Sequence, residues 1–190
     1  MILSILIPSI PSRIESHLIA LISELEYQIN ALDNPSEVEL LVVCDNKRRS
    51  IGYKRQALLD IAKGDYVCWI DDDDIVKPNY VAELVNGCKQ DVDVVTFKQW
   101  VIINRGIPMG LTFELGYEKN DEPSLNGFKR PPWHVCAWRR IIAIEGKYPD
   151  SMYGEDWEYL KQIIPLAKTS HHIDDYLCVY IYDDAITEAK

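Results

Sequence analysis

Four consecutive carboxylates, Asp71, Asp72, Asp73 and Asp74, follow directly on the apolar run Tyr66-Val67-Cys68-Trp69-Ile70. Like charges this close repel one another, so the cluster calls for a cation. Hard divalent ions such as Mg²⁺ or Mn²⁺ take oxygen ligands, keep one or two protein carboxylates and fill their other positions with water and substrate phosphates. The run therefore reads as a strand delivering acids to its own end, where a metal-bound diphosphate could sit. A solvated acidic turn is the bland alternative for a bare acid run, and the flanks weigh against it. Lys63-Gly64-Asp65 ends a helix and begins a strand, and Val76-Lys77-Pro78-Asn79-Tyr80 restarts a helix with Pro near its first turn.

The elements that must hold these acids alternate through the first half. Residues 3–7 read as a strand, and residues 16–30 as a helix with apolar positions at Leu18, Ile19, Ile22, Leu25 and Ile29. Residues 38–44 form a continuous apolar run of the kind buried on both faces of a parallel sheet. A helix over 51–62, a strand over 66–70, a helix over 79–88 and a strand over 92–97 follow. Repeated β-α-β order predicts a parallel, doubly wound sheet with right-handed crossovers, and ligands on such sheets sit beyond the carboxyl ends of the strands. The segments that fall there are 8–13, 45–49 and 71–74, so three distant stretches converge on one cleft. After about Trp100 the pattern is less regular: a hairpin around 101–115, helices over 137–145 and 155–164, a last strand over 176–182 and a short acidic tail.

Composition bounds the function. With 190 residues, 47% of them hydrophobic, the chain can bury one sizeable core. A formal charge of −10 disfavours a protein that grips a nucleic-acid backbone through Lys and Arg. Five widely spaced cysteines, an odd number, suit free thiols in a reducing, cytoplasmic compartment. The apolar opening lacks a basic start and is cut short by Pro8 and Pro11, so it reads as a buried first strand, neither signal peptide nor membrane span.

The stretch Ile51-Gly52-Tyr53-Lys54-Arg55-Gln56-Ala57-Leu58, then Ala62-Lys63-Gly64-Asp65-Tyr66-Val67, then Ile70 to Asp74 with Pro78 and Tyr80, resembles the family 2-like glycosyltransferases of the GT-A fold. Tyr148-Pro149-Asp150 followed by Gly154-Glu155-Asp156-Trp157 is similar to the later segment of that family, which ends in a Glu-Asp pair. The resemblance covers nearly the whole chain and implies an α/β, Rossmann-like fold with a mostly parallel central sheet, flanking helices and a smaller irregular acceptor side. It implies one catalytic domain over 1–190, with the nucleotide-sugar half in 1–100 and the acceptor half, carrying the base, in 101–190. The activity it implies is inverting, metal-dependent transfer of a hexose from a nucleotide-diphosphate sugar, most plausibly a UDP-sugar, to a carbohydrate or other hydroxyl acceptor.

Residue by residue, the resemblance makes Asp73 the ligand of a Mn²⁺ or Mg²⁺ ion bridging the two phosphates, with Asp71 and Asp72 holding the ribose or ordering metal waters. Asp45 would accept a hydrogen bond from the base, Arg55 would pack on the base or approach the diphosphate, and Pro8, Ser9, Arg13 and Gly52 belong to nucleotide-cradling segments. Asp156 would be the general base, with Glu155 next in line; offsetting a helix dipole is the plain alternative for both. Trp133, His134 and Trp157 could form an apolar sugar platform, although core packing explains either Trp as well. Many relatives supply a late His to the metal, where this chain reads Tyr180-Ile181-Tyr182-Asp183-Asp184. Asp183 could substitute as an oxygen ligand, or His171 or His172 could reach in.

Other classes fit less well. A sugar-nucleotide pyrophosphorylase would want a Gly-rich loop after the first strand, where residues 8–13 contain no glycine. An aspartate-nucleophile phosphatase expects its acids after the first strand, not the third. A nucleotide-sugar-binding protein without transferase activity remains as the alternative, with Asp73 and Asp156 arguing against it.

Overall fold

A computed structural model describes residues 1–183; the acidic tail from Asp184 on lies outside the described residues. The centre is β1 (Leu3–Ser9), buried along its whole length. It pairs in parallel with β2 (Val38–Cys44) on one edge and β3 (Tyr66–Trp69) on the other, with Ser9 opposite Cys44 and Leu6 opposite Trp69. Buried on both faces, β1 needs apolar residues at nearly every position, which is why it shows no alternation. The register places the carboxyl ends of all three strands side by side, so the segments 10–13, 45–49 and 70–74 leave the sheet together.

Beyond β3 the sheet departs from the expected succession of parallel strands. Its neighbour is β8 (Ala137–Arg139), antiparallel both to β3 and to the start of β5 (Val94–Ile103). Residues 137–139 were expected to begin a helix; only Arg140–Ala143 (α4) is helical. Ala137 and Trp138 are fully buried between β3 and β5, and a strand satisfies their backbone groups from both sides. The second half thus threads back through the first, and the 1–100 boundary falls inside β5.

The expected hairpin is present: β5 turns into β6 (Met109–Phe113) with Val101 opposite Met109. Its turn carries positive φ at Asn104 and Arg105 (49° and 59°), closed by Gly106 N–H donating to the Ile103 carbonyl at 2.9 Å, the backbone signature of a type I′ turn. β7 (Phe128–Arg130) extends this edge. The last strand, β9 (Ser170–Tyr182), is longer than the expected 176–182 and runs parallel to β5, with bulges near Phe97 and Lys98. A two-residue strand, β4 (Ile75–Val76), pairs with β9 where the sequence suggested only a connection.

The helices follow the apolar spacing. A π turn over Ile14–Leu18 leads into α1 (Ile19–Asn30), whose Leu21, Leu25 and Gln28 are buried. Gln28 earns its buried place by bridging, donating to the Lys77 carbonyl and accepting from Val81 N–H at the start of α3 (Tyr80–Cys88). Helix α2 (Ile51–Ile61) begins at Ser50, whose hydroxyl accepts from Tyr53 N–H and donates to Asp150. That pair ties α2 to the loop leading into α5 (Glu155–Ile163).

Gly52 completes the same junction. A Cβ there would stand 1.9 Å from the Pro149 carbonyl oxygen and 3.2 Å from Glu155 Cβ. Gly52→Ala is expected to push α2 from the loop and lower stability by about 1–3 kcal/mol, the usual cost of overpacking; the shift of the urea midpoint measures it.

Candidate active site

Three clusters of polar side chains meet at the carboxyl edge of β1, β2 and β3. In the first, Ser9 at the end of β1 donates its hydroxyl to Asp72 at 2.6 Å, and Arg13 Nη1 contacts Asp72 at 2.8 Å and Asp73 at 3.0 Å. In the second, Lys54 Nζ donates to the Ser9 carbonyl at 3.0 Å and faces Asp45 at 3.3 Å. In the third, Arg55 joins the segment after β3 to the start of α5: Nη2 contacts Asp71 at 2.8 Å and Nε contacts Glu155 at 3.2 Å.

Helix α2 explains how two cations come to lie inside. Ile51, Lys54, Arg55, Leu58 and Leu59 occupy the i, i+3, i+4, i+7, i+8 stripe that an amphipathic helix turns to the core, and Lys54 and Arg55 are only 5% and 3% exposed. Their charges are tolerable there because carboxylates answer them. Lys54 was not among the residues expected at the site; its place on the apolar stripe is the signal that could have found it. The stripe also leaves Arg55 Nη1 buried with no hydrogen-bond partner among the described residues.

The acids respond unequally. Burial would raise Asp71, but the adjoining Arg55 guanidinium more than offsets this and holds its carboxyl below the usual range. Burial, then the Asp71 charge, pushes Asp73 up against the opposing pull of Arg13. Asp74 rises much further for the same two reasons. Four clustered carboxylates meet two guanidinium groups here, Arg13 and Arg55, so carboxylates outnumber cations. That excess, together with an all-oxygen donor set, fits a hard divalent cation.

Asp73 and Asp183 line one cavity of about 490 Å³, shared with Arg13, Asp72, Asp74 and Ile181. Asp183, at the end of β9, is 8% exposed and ion-paired at 2.9 Å to Arg105. Among the described residues no group of three or more His, Cys, Asp or Glu side chains is gathered as a complete metal cage. Water and substrate oxygens would have to complete the sphere, as they commonly do for Mg²⁺.

The histidines considered as stand-ins do not reach this cavity. His171 and His172 lie opposite Val95 and Thr96 at the beginning of β9, and His172 Nδ1 is bonded to Thr96 Oγ1 at 2.9 Å. At about 3.3 Å per residue a strand carries them on the order of 30 Å from its far end, where Asp183 stands. Pro8 is buried within β1 opposite Val43, and the space beside Gly52 is filled by Pro149.

At the start of α5, Gly154 takes positive φ (72°) with nothing near its missing Cβ, and the next two residues face different partners. Glu155, 6% exposed, turns inward to Arg55. Asp156 lies toward the Trp133 side: Oδ2 accepts from Trp133 Nε1 at 3.1 Å and Oδ1 accepts from the Trp157 backbone N–H at 2.7 Å. The Trp133 and Trp157 rings stack at 5.6 Å with an 11° interplanar angle. The expected platform residues thus gather around Asp156.

His134 completes this group, with Nδ1 3.8 Å from Asp156 Oδ2 and without a hydrogen-bond partner among the described residues. Burial, reinforced by the nearby Arg55 charge, pushes its pKa from 6.5 down to about 4. The unfolded chain then binds the proton more readily than the folded one between these two values. Stability is expected to fall as pH drops from 6.5 toward 4, with a limiting slope of about tenfold in the folding equilibrium per pH unit. His134→Gln removes this term, so the difference between the two proteins' denaturation midpoints, followed across that range, isolates it.

All five cysteines are free; four are buried and Cys44 is exposed, and burial raises the Cys68 thiol to about 12. Among the described residues no helix is long and apolar enough to cross a membrane.

The fold has counterparts among known proteins. The fold resembles a crystal structure of S. aureus TarS 1-349 with a TM-score of 0.69 at 18% identity, covering 95% of this chain and 60% of that one. A second structure of that protein, in complex with UDP-GlcNAc, matches with a TM-score of 0.69 at 15% identity, over 97% of this chain and 59% of that one. A third, in complex with UDP, matches with a TM-score of 0.68 at 17% identity, over 95% and 60%. The chain spans about three fifths of the length of these proteins, and at such identities the likeness is one of fold. No curated protein sequence gives a significant match. The model of the family described as glycosyl transferase family 2 matches residues 18–145, which include the whole acid run and helix α2. The chain belongs to glycosyl transferase family 2.

Proposed function

We propose that the protein is an inverting, metal-dependent glycosyltransferase that moves a hexose from a nucleotide-diphosphate sugar, a UDP-sugar in particular, to a hydroxyl acceptor. The observation that carries this reading is the meeting of Asp71, Asp72 and Asp73 with Ser9, Arg13 and Arg55 at the shared ends of β1 and β3. Ligand sites of doubly wound sheets lie at such a switch point. The UDP and UDP-GlcNAc complexes of the structurally similar TarS support the choice of uridine, and the free thiols suit a reducing, cytoplasmic setting.

Each group then has a task. Asp73 and Asp183 would hold Mn²⁺ or Mg²⁺, which when bound neutralises charge on the departing diphosphate. Arg13 stands beside the acids to meet phosphate oxygens, and Asp45 beside Lys54 is positioned for the base or ribose. Asp156 takes the acceptor hydroxyl's proton as its oxygen attacks the anomeric carbon from the face opposite the leaving group. The Trp133 N–H fixes one carboxylate oxygen, and the stacked Trp133 and Trp157 rings offer an apolar face to a sugar. Glu155 is a positioning residue: by holding Arg55 it ties the start of α5 to the acid run.

Calorimetric titration of UDP with Mn²⁺, repeated after chelation, tests the donor side. At least tenfold weaker binding after chelation is expected, with Asp73→Asn reproducing the loss in the presence of Mn²⁺. Equal affinity in all three conditions would contradict the metal bridge. Release of free UDP from the sugar nucleotide, with no pyrophosphate chemistry, tests the reaction.

A further inference from the structure

Arg130 closes β7 with a charge that no carboxylate among the described residues pairs directly. Its Nε is buried without a hydrogen-bond partner, and among the described residues it has no ion pair. What holds the guanidinium is aromatic: it lies 5.4 Å from the Phe128 ring centroid and 5.8 Å from that of Trp133. Cation–π contact of this kind lets an arginine be partly desolvated, but leaves its planar donor fork unused. Burial outweighs the more distant pull of Glu122, Tyr180 and Asp156, so the protein itself does not make this a comfortable place for a cation.

The position bears on the acceptor. Trp133 is shared: Arg130 stands over its ring, while its Nε1–H donates to Asp156 at 3.1 Å. Arg130 and Asp156 are therefore neighbours of one indole. The diphosphate side has its own cations, Arg13 and Arg55, at the end of β1 and on α2, whereas β7 ends the opposite side of the strand order β2-β1-β3-β8-β5-β6-β7. Arg130 is thus on another strand from the donor's cations, and Asp156 is among the charges that act on it.

We infer that Arg130 recognises an anionic substituent, a phosphate or a carboxylate, on the acceptor whose hydroxyl Asp156 deprotonates. The inference rests on the proposed transferase reading for the acceptor's role, while the anion site itself stands on Arg130 alone. A guanidinium pairs with either oxyanion through two parallel N–H···O bonds, and the pair is strong where water is partly excluded. Glycerol, glycerol 3-phosphate and glycerate serve as probes, being alike in their hydroxyls and different in their charge.

The test follows the Trp133 indole N–H resonance as each probe is added, with Mg²⁺ and saturating UDP to occupy the donor side, and again without UDP. Glycerol 3-phosphate or glycerate is expected to shift the resonance at least tenfold more tightly than glycerol. Arg130→Gln should abolish that preference, and Arg130→Lys should retain part of it. The stronger of the two anions names the substituent. Equal binding of all three probes by the wild type, or an anion preference unchanged in Arg130→Gln, would overturn the inference. Failure of UDP to bind would count against the donor reading alone, because the titration without UDP reads the anion site independently.

Discussion

Asp156→Asn is expected to bind UDP and its sugar conjugate with near-normal affinity yet transfer sugar at least about 10²-fold more slowly, the usual scale for a positioned proton transfer. The substitution keeps shape and the contacts from Trp133 Nε1 and Trp157 N–H, while removing basicity. The loss should fall on kcat more than on the KM of the donor, since Asp156 contacts none of the groups assigned to the diphosphate. Glu155→Gln provides the contrast: Glu155 is buried against Arg55, so its variant should lose stability before it loses proton transfer. A variant at Asp156 with intact transfer would move the base elsewhere, and one that no longer binds donor would make Asp156 part of the nucleotide site.

Arg55→Met should be the most destabilising single change at the site. It strands Asp71 and Glu155, which now share one guanidinium at 2.8 and 3.2 Å. Breaking a buried ion pair from one side costs about 3–5 kcal/mol, and the lower end applies because the Asp71 side chain is 28% exposed. The pH dependence has a definite sign. Arg55 holds Asp71 below its ordinary value, so this contribution is fully present above 3.8 and is lost as pH falls through the folded-state value. The gap in urea midpoint between wild type and Arg55→Met is therefore expected to be widest near neutrality and to narrow on acidification.

The parts of the fold that could be read ahead were those with long, strongly periodic sequence. β1 and β3 are apolar runs buried throughout, whereas β2, expected to be buried on both faces, carries Glu39 and lies at the sheet edge, mostly half-buried or exposed; the helices between them carry clear apolar stripes. Together they fix where segments 10–13, 45–49 and 71–74 emerge, so Ser9, Arg13, Asp45, Arg55 and the acid run were legible as one cleft. β8 and β4 were not, because strands of three and two residues are too short to show a period. Ala137 and Trp138 are consistent with either helix or strand until β3 and β5 are known to flank them. The length of β9 was hidden by His171, His172, Asp174 and Asp175, polar residues in a strand whose hydrogen bonding is set by its neighbour β5 and not by its own composition.

Within the site, side-chain direction was the information missing from the sequence. Glu155 and Asp156 are adjacent, yet one faces Arg55 and the other Trp133. Gly52 sits in a stretch that resembles a nucleotide-binding segment, but the atom it makes room for is the Pro149 carbonyl. Lys54 was not singled out; its helical phase, shared with Leu58, places it inside.

The central claim is that this cleft transfers a sugar by displacement from the face opposite the nucleotide. The most direct measurement is proton NMR of the anomeric signal during slow hydrolysis of a UDP-α-hexose by water, with Mg²⁺ present and spectra taken before mutarotation. The β-anomer should accumulate first, and Asp156→Asn should suppress it. First appearance of the α-anomer, or hydrolysis that Asp156→Asn leaves unchanged, would contradict the account.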